Sequence, residues 1–575
     1  MRSPESLDSM KRRIRVAQGE APADLVFVNG RVACTFTGEL LEAPVTVAEG
    51  RVCSLATAPA GSKQVVDLDG AILAPAFTDA HIHVESSLLT PEGFAEAVVP
   101  HGTGATVSDP HEIANVLGTA GYDYMRRASS GLPMDIFWTV PSCVPATHME
   151  TAGASLGARD VAEGLDRNPE APALSEMMNF PGVLFGVEEV LEKVRASALR
   201  GKPVDGHSPG LTGAALDAYA GSGILTDHEC LTAAEALEKL RRGMWVFLRE
   251  GSAARNLRDL LPAVAPGAAT RICIVSDDRH PEDLLREGHL DGTLRKAVSW
   301  GLDPMAALRA VTLNPATVYG FGDRGGVAPG YLADLVVLRD LRSFEVREVY
   351  HRGRKVAEGG SLLKPLERRP AGEALATVRL PPDLRSLLGG FPESGEVRVI
   401  GVEPNQIVTR SEKGLAQDAG GGRGMQFAAV VERHRGTGHV GLGYVRGFDL
   451  RAGALASTVS HDSHNLVIVG TSPDEMARAA GAVEAMGGGL AAVQDGELLA
   501  ALPLQVAGLM SLGTAAQAAA ALEALHGAAR SLGCSLPAPF MTLSFLALPV
   551  IPSLKLTDRG LVDVDRFQIV PLRLP

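Results

Sequence analysis

Between about residues 76 and 320, short apolar runs alternate with helix-length amphipathic stretches, and no other feature of this chain limits its fold so strongly. The runs include "GATVSD", "MDIFWTVPS", "PVDGHS", "GILTDHE", "MWVFLRE" and "RICIVSDD". Between them lie helix candidates such as "TPEGFAEAVVPH", "LTAAEALEKLRRG" and "LDPMAALRAVTLNPATVYG". Strand-length runs spaced by helical periodicity describe strand–helix units. Sustained over about 250 residues, they predict a closed (β/α)8 barrel whose active site lies at the C-terminal ends of its strands.

The flanking segments are different. After a polar, basic leader (1–20) come "ADLVFVNGRVAC", "APVTVAEGRVCSLA" and "QVVDLDGAILAPAF", punctuated by the "NG" and "EG" turns of a small sheet. A related pattern returns near residue 327 in "GVAPGYLADLVVLRDLRSFEVREVYHRGRKVAEGG". Segments 21–75 and 321–363 are therefore expected to build one small β-sandwich domain around a barrel spanning 76–320. The Pro- and Arg-rich stretch 364–383 is expected as a linker, and 384–575 as a separate α+β C-terminal domain.

A net charge of -13 argues against a nucleic-acid or anionic-membrane surface but not against a small nucleobase as ligand. The six cysteines show no paired or CxxC spacing, which fits a reducing compartment. Without an apolar leader or a run of about 18 apolar residues, the expected location is cytoplasmic and not membrane-bound.

The stretch "LAPAFTDAHIHVESSLLTP" (73–91) begins apolar and ends with Asp79, His81, His83 and Glu85 at alternate positions. On a continued strand these four share one face. Further polar groups collect where later strands end: "DPHE" (109–112), Glu176, His207, His228, and Asp277 with Asp278, Arg279 and His280 in "SDDRHP". A lone strand-end histidine is more often a hydrogen-bonded structural residue, and a loop carboxylate is more often a helix cap. Polar groups at strand ends in series need a cation or extensive pairing once buried together.

These strings resemble the amidohydrolase superfamily, and more closely the bacterial adenine deaminases, from about residue 24 to the C-terminus. "DAHIHVESS", "SEMMNFPG", "DGHSPG", "DHE" and "SDDRHP" follow the superfamily order of ligand-bearing strands. "HVESSLLTP", "DPHEIANVLG", "DDRHPEDLLREGHLD" and the late "SHDSHN" look specifically like adenine deaminase. The resemblance implies a binuclear site in which His81, His83 and Asp277 hold one divalent metal and His207 and His228 the other. Glu176 would bridge them, where many relatives use a carboxylated lysine. Asp277 is preferred to Asp278 for its place at the end of the run "ICIV". Nitrogen and oxygen ligands without thiolate suit Mn, Fe or Zn, and the resemblance ranks Mn(II) or Fe(II) above Zn(II).

The implied reaction is hydrolytic deamination of adenine to hypoxanthine and ammonia, a step of purine salvage. Water activated by the metals would attack C6, with Asp277 moving its proton. Glu85, His111, Glu112, Asp278, Arg279 and His280 are candidates for contacting the substrate or supporting the ligands. His461 and His464 of "SHDSHN", three apart, can bind metal or reach the barrel mouth; the reading we favour is a polar turn held by local side-chain bonds, in a loop expected to pack near the barrel opening and help close it. The partner is a small molecule, and a homo-oligomer (dimer or higher) is expected. A zinc deaminase of the H-x-E…P-C-x-x-C type is excluded by ligands, since "PSCVP" lacks the second cysteine. A hydantoinase-like hydrolase of cyclic amides or amidines and a non-catalytic barrel stay open as alternatives.

Overall fold

The computed structural model describes residues 5–56, 61–252, 254–264, 268–404 and 406–575. Eight short strands succeed one another through the middle of the chain: β1 (Phe77–Ile82), β2 (Thr103–Ser108), β3 (Asp135–Trp138), β4 (Leu174–Met177), β5 (Val204–Gly206), β6 (Thr226–Asp227), β7 (Trp245–Arg249) and β8 (Ile272–Val275). All the ladders among them are parallel: β1 with β2, β2 with β3, β4 with β5, β6 with β7 and β7 with β8. A parallel bridge from Val140 to Leu174 joins β3 to β4, and one from Ile82 to Asp277 brings the last strand back to the first. Between β5 and β6 the approach is close, and the amide of Gly206 donates to Thr226 Oγ1. A Cβ on Gly206 would stand 2.0 Å from the Thr226 carbonyl oxygen, so "VDGHS" carries the one residue that lets these strands meet.

Helices cover the outside of the ring, each with a legible start. Asp303 caps Pro304–Ala310 by accepting from the amides of Met305 and Ala306, and Thr232 caps Ala233–Arg241. The expected single helix in "LDPMAALRAVTLNPATVYG" is two, Pro304–Ala310 and Leu313–Val318. Pro315 has no amide to offer Val311, and its ring would clash with that carbonyl in a continuous helix.

Two further sheets pack face to face beside the ring. One runs Ser361–Leu362, Arg354–Glu358, Val346–His351, Leu335–Leu338, Ile72–Pro75, Arg31–Cys34, Glu39–Glu42. The other runs Arg51–Ser54, Val45–Ala48, Leu25–Val28, Val65–Asp67. They share a core of Leu25, Phe27, Val47, Leu73, Leu335 and Tyr350. The first thus combines chain from both sides of the ring. The polar leader forms the helix Leu7–Ala17, capped by Ser6, with Val16 buried and Arg12 paired to Asp24.

Residues 364–383 have little regular structure, yet they are tied down on both sides. Arg368 pairs with Glu96, the amide of Arg369 donates to Glu92, and Thr377 receives the buried guanidinium of Arg433. Beyond them an eight-stranded sheet is ordered Thr409–Leu415, Glu396–Val402, Val440–Arg446, Met425–Val431, Leu466–Gly470, Ala454–Ser457, Gly489–Gln494, Glu497–Pro503. The helix Ala515–Ser531 lies between this sheet and the ring helix Pro281–Glu287. Among the described residues no helix is long and apolar enough to cross a membrane.

Candidate metal centre

The polar strand ends converge. His81 lies near the end of β1 and His83 just beyond it, and each ring is anchored through Nδ1. His81 Nδ1 is 2.7 Å from Asp205 Oδ2, and His83 Nδ1 is 3.2 Å from the Asp109 carbonyl oxygen. Both Nε2 atoms then face one carboxylate oxygen, Asp277 Oδ1, at 3.3 Å. Such outward anchoring selects the tautomer and aims the other nitrogen at a metal.

Glu176 at the end of β4 occupies the middle. Its Oε1 is 3.2 Å from His83 Nε2, while Oε2 is 2.7 Å from His207 Nδ1 and 3.1 Å from His228 Nε2. Burial alone would raise this carboxyl, but the surrounding imidazoles hold it well below the usual range. The His81 and His228 rings stack with centroids 3.9 Å apart, which closes the group from below.

Asp277 follows β8 with φ of 55°, a left-handed conformation that costs a non-glycine residue energy and recurs at functional sites. Its amide donates to the His81 carbonyl. Burial would raise its carboxyl too, yet Arg249 holds it well below the carboxylate range. Arg249, from the end of β7, also forks onto Glu229. Asp79 serves the fold: its carboxylate accepts from Ser276 and faces His289 at 3.3 Å, which pins β1 to β8.

Several overlapping groups have ligand atoms within 4.8 Å of one another, among them His81–His83–Asp277, Glu176–His207–His228 and His83–Asp109–His111–Glu176. In these three all donors are imidazole nitrogen or carboxylate oxygen, and all are buried. His81 Nε2, which faces the cluster, is buried without a hydrogen-bond partner. An orphaned imidazole nitrogen beside ionised carboxylates is what a divalent cation would satisfy, so the residues fit the metal.

The remaining candidates divide. His111 belongs with the centre: its Nδ1 is 3.1 Å from Asp109 Oδ2 and 3.6 Å from Glu176 Oε1. Asp278 lines the same cavity, and Ser86 Oγ lies 2.6 Å from both Asp278 Oδ1 and Glu112 Oε1. Glu85 is not on the strand face expected for it. β1 stops at Ile82, the chain turns through Glu85–Ser87, and the carboxylate accepts from the Ile113 amide. Burial beside Glu112 pushes its pKa up to about 8. Arg279 points away, buried against the carbonyls of Glu250 and Gly288 and the carboxylate of Glu287. His280 does not line the cluster's cavity; it lies 3.5 Å from Glu282, between a neighbouring cleft and a small pocket it shares with Ser86, Asp278 and His461.

The "SHDSHN" loop is both a local turn and a roof. Ser460 and His464 exchange bonds as expected of a polar turn, but Asp462 Oδ1 comes within 3.6 Å of His111 Nε2. His464 Nε2 is 3.6 Å from Glu112 Oε2, and His461 stacks on Phe545 at 4.7 Å. One cavity results: His83, Glu176, His207, His228 and Asp277 line one side, and Ile407, Phe545, Leu548, Val550 and Ile551 the other. Sequence reasoning missed Asp205, Arg249, Glu229 and this apolar wall. Asp205 had a signal, two residues before His207 on one strand. The wall had none.

The amidohydrolase family matches residues 72–356, and the adenine deaminase C-terminal domain matches residues 403–568. The adenine deaminase of Desulfatibacillum aliphaticivorans is 47% identical over 567 residues, covering 97% of this chain and 99% of the relative. Adenine deaminase 2 of Carboxydothermus hydrogenoformans is 46% identical over 576 residues, covering 98% of this chain and 100% of the relative. The chain belongs to the adenine deaminase family. As an adenine deaminase family member it combines an amidohydrolase α/β fold and its divalent-metal residue cluster with the family's own C-terminal domain. That domain is the one that supplies His461, Asp462 and the apolar wall.

Proposed function

We propose that this chain catalyses hydrolytic deamination of free adenine to hypoxanthine and ammonia at the cavity between the strand ring and the C-terminal region. The observation that carries the reading is Glu176, whose two carboxylate oxygens face His83 on one side and His207 and His228 on the other. His81, His83 and Asp277 would hold one metal, His207 and His228 the second, and Glu176 would stand between. The bound cations would lower the pKa of water toward neutrality and withdraw charge from the substrate. Nitrogen and oxygen donors without thiolate suit Mn(II), Fe(II) or Zn(II), and the resemblance to adenine deaminases favours the first two.

The residues then have separable tasks. Asp277, kept ionised by Arg249, accepts the proton of the attacking water and passes it toward the ring nitrogen or the departing ammonia. A C6–O bond forms and the C6–N6 bond breaks. Asp205 and the Asp109 carbonyl keep the two imidazoles of β1 oriented. Ile407, Phe545 and Ile551 exclude water and cover the flat faces of a purine.

The same reading divides the chain into a β-sandwich (21–75 with 321–363), a (β/α)8 barrel (76–320), a connecting stretch (364–383) and a C-terminal domain (384–575). The parallel strand ring and the two-flank sheet support it. The test is turnover by purified protein loaded in turn with Mn, Fe and Zn, assayed for ammonia from adenine and for ring opening of hydantoin. Ammonia from adenine is expected; hydantoin opening without it would overturn the reading.

A further inference from the structure

Lys555 lies on the strand Leu554–Thr557, fully buried, and among the described residues it has no carboxylate partner. Its Nζ donates to the carbonyl oxygens of Ile407 at 2.7 Å and Phe545 at 2.9 Å. These are two of the residues that face the histidine–carboxylate cluster across the cavity. Phe545 closes the helix Pro539–Phe545, whose last carbonyls have no partner within the helix, and a cationic donor suits both the free lone pairs and the helix dipole.

Burial makes the ammonium expensive and pushes its pKa down to about 7. A hydrocarbon of the same length would fill the volume without that cost. Backbone bonds already fix the neighbouring chain, Thr409 to Pro552 and Ser553, and Leu556 to Leu546. What Lys555 adds is a single point of attachment for two wall residues that are far apart in sequence.

We propose that Lys555 is a positioning residue that sets the distance between the Ile407–Phe545 wall and the candidate metal centre, and with it the width of the slot for a planar heteroaromatic base. The Phe545 ring stacks on His461 at 4.7 Å with an interplanar angle of 11°, so displacement of Phe545 is transmitted to the loop carrying Asp462. The role rests on the adenine reading above.

The experiment compares full-length, Mn-loaded wild type, Lys555→Met, Phe545→Ala and the double variant, with adenine as substrate and with metal content and Tm measured in parallel. Lys555→Met is expected to raise KM roughly tenfold while kcat changes by less than about threefold and metal content is unchanged. The double variant should be no worse than Phe545→Ala alone, because both changes release one wall. Lys555→Gln, which keeps two N–H donors on a shorter side chain, should recover part of the KM.

An unchanged KM, additive effects, or loss of metal in place of the KM change would overturn the role. If Lys555→Met does not fold, Lys555→Gln and Ile407→Gly carry the same comparison, and an unchanged KM in both overturns it. Wild type that releases no ammonia from adenine removes the functional reading and this role together. Active wild type with unaffected variants removes only the role.

Discussion

Arg249 Nη1 stands 2.8 Å from Asp277 Oδ2, and the other oxygen of that carboxylate is 3.3 Å from Nε2 of both His81 and His83. One carboxylate thus has a fixed side and a working side. The guanidinium occupies the first and leaves the second facing the cluster. Because Arg249 also holds Glu229, its removal strands two buried carboxylates at once.

Arg249→Met should therefore cost stability as well as rate. Breaking a buried pair typically costs roughly 3–5 kcal/mol, and misplacing a reacting group costs about a hundredfold in kcat. Arg249→Lys restores the charge without the planar fork and should fall between. Denaturant unfolding and steady-state kinetics on both variants measure the two effects separately. Wild-type kcat in Arg249→Met would show that Asp277 needs no such support.

Glu176→Gln should abolish adenine turnover and leave a folded protein whose Tm lies close to that of metal-free wild type. The side chain belongs to the polar cluster and not to the apolar core of the ring, so the fold does not depend on its charge. Ammonia release at the wild-type rate would refute the bridging assignment.

Chelation should lower Tm, and readdition of Mn should restore it. The buried orphan Nε2 of His81 gains its partner when a cation is bound, and a ligand held by the native state alone stabilises it by mass action. At a metal concentration a hundredfold above Kd the gain is about 2.7 kcal/mol per site. Melting curves across a metal titration measure it; a Tm independent of metal would argue that the cluster is satisfied by its own hydrogen bonds.

Acid should release a fourth contact, remote from the centre. Burial would raise the pKa of Asp334, but His351 at 3.2 Å and Arg324 at 3.0 Å bring it down to about 2 from 3.8. A depressed folded pKa gives stability that is complete above the unfolded value and is lost as pH falls through the folded one. The window is thus pH 4 to 2, and the contribution is about 2 kcal/mol. Asp334→Asn should lose that stability at neutral pH and show a flatter acid limb in unfolding experiments; an acid limb as steep as that of wild type would assign the slope to other carboxylates.

The strand–helix alternation and the polar strand ends were legible from local signals, whereas the assignment of those groups as ligands came from the resemblance. His81, His83, Glu176, His207, His228 and Asp277 each end an apolar run, and a strand end in a parallel ring has only one place to point. Glu85 was misplaced because nothing local shows that β1 stops at Ile82 before the alternation does. Arg279 was named for lying next to Asp277, but its guanidinium is buried against the carbonyls of Glu250 and Gly288. Ile407 and Phe545 were invisible for a different reason. Their contact with the centre is made across the join to the C-terminal region, and no periodicity within either segment encodes it.

The sheet that joins Ile72–Pro75 to Leu335–Leu338 has a consequence for the order of events on the ribosome. Ile72–Pro75 leaves the tunnel long before its central neighbour exists, and β1 follows it directly. Until Leu338 has been made, those early strands present an unpaired edge of Ile, Leu and Ala to whatever is near. Long-range pairing of this kind is slow and prone to association while it waits. A chain arrested before Leu338 should therefore engage chaperones more strongly than one arrested after Leu362, although the whole strand ring is already present in both.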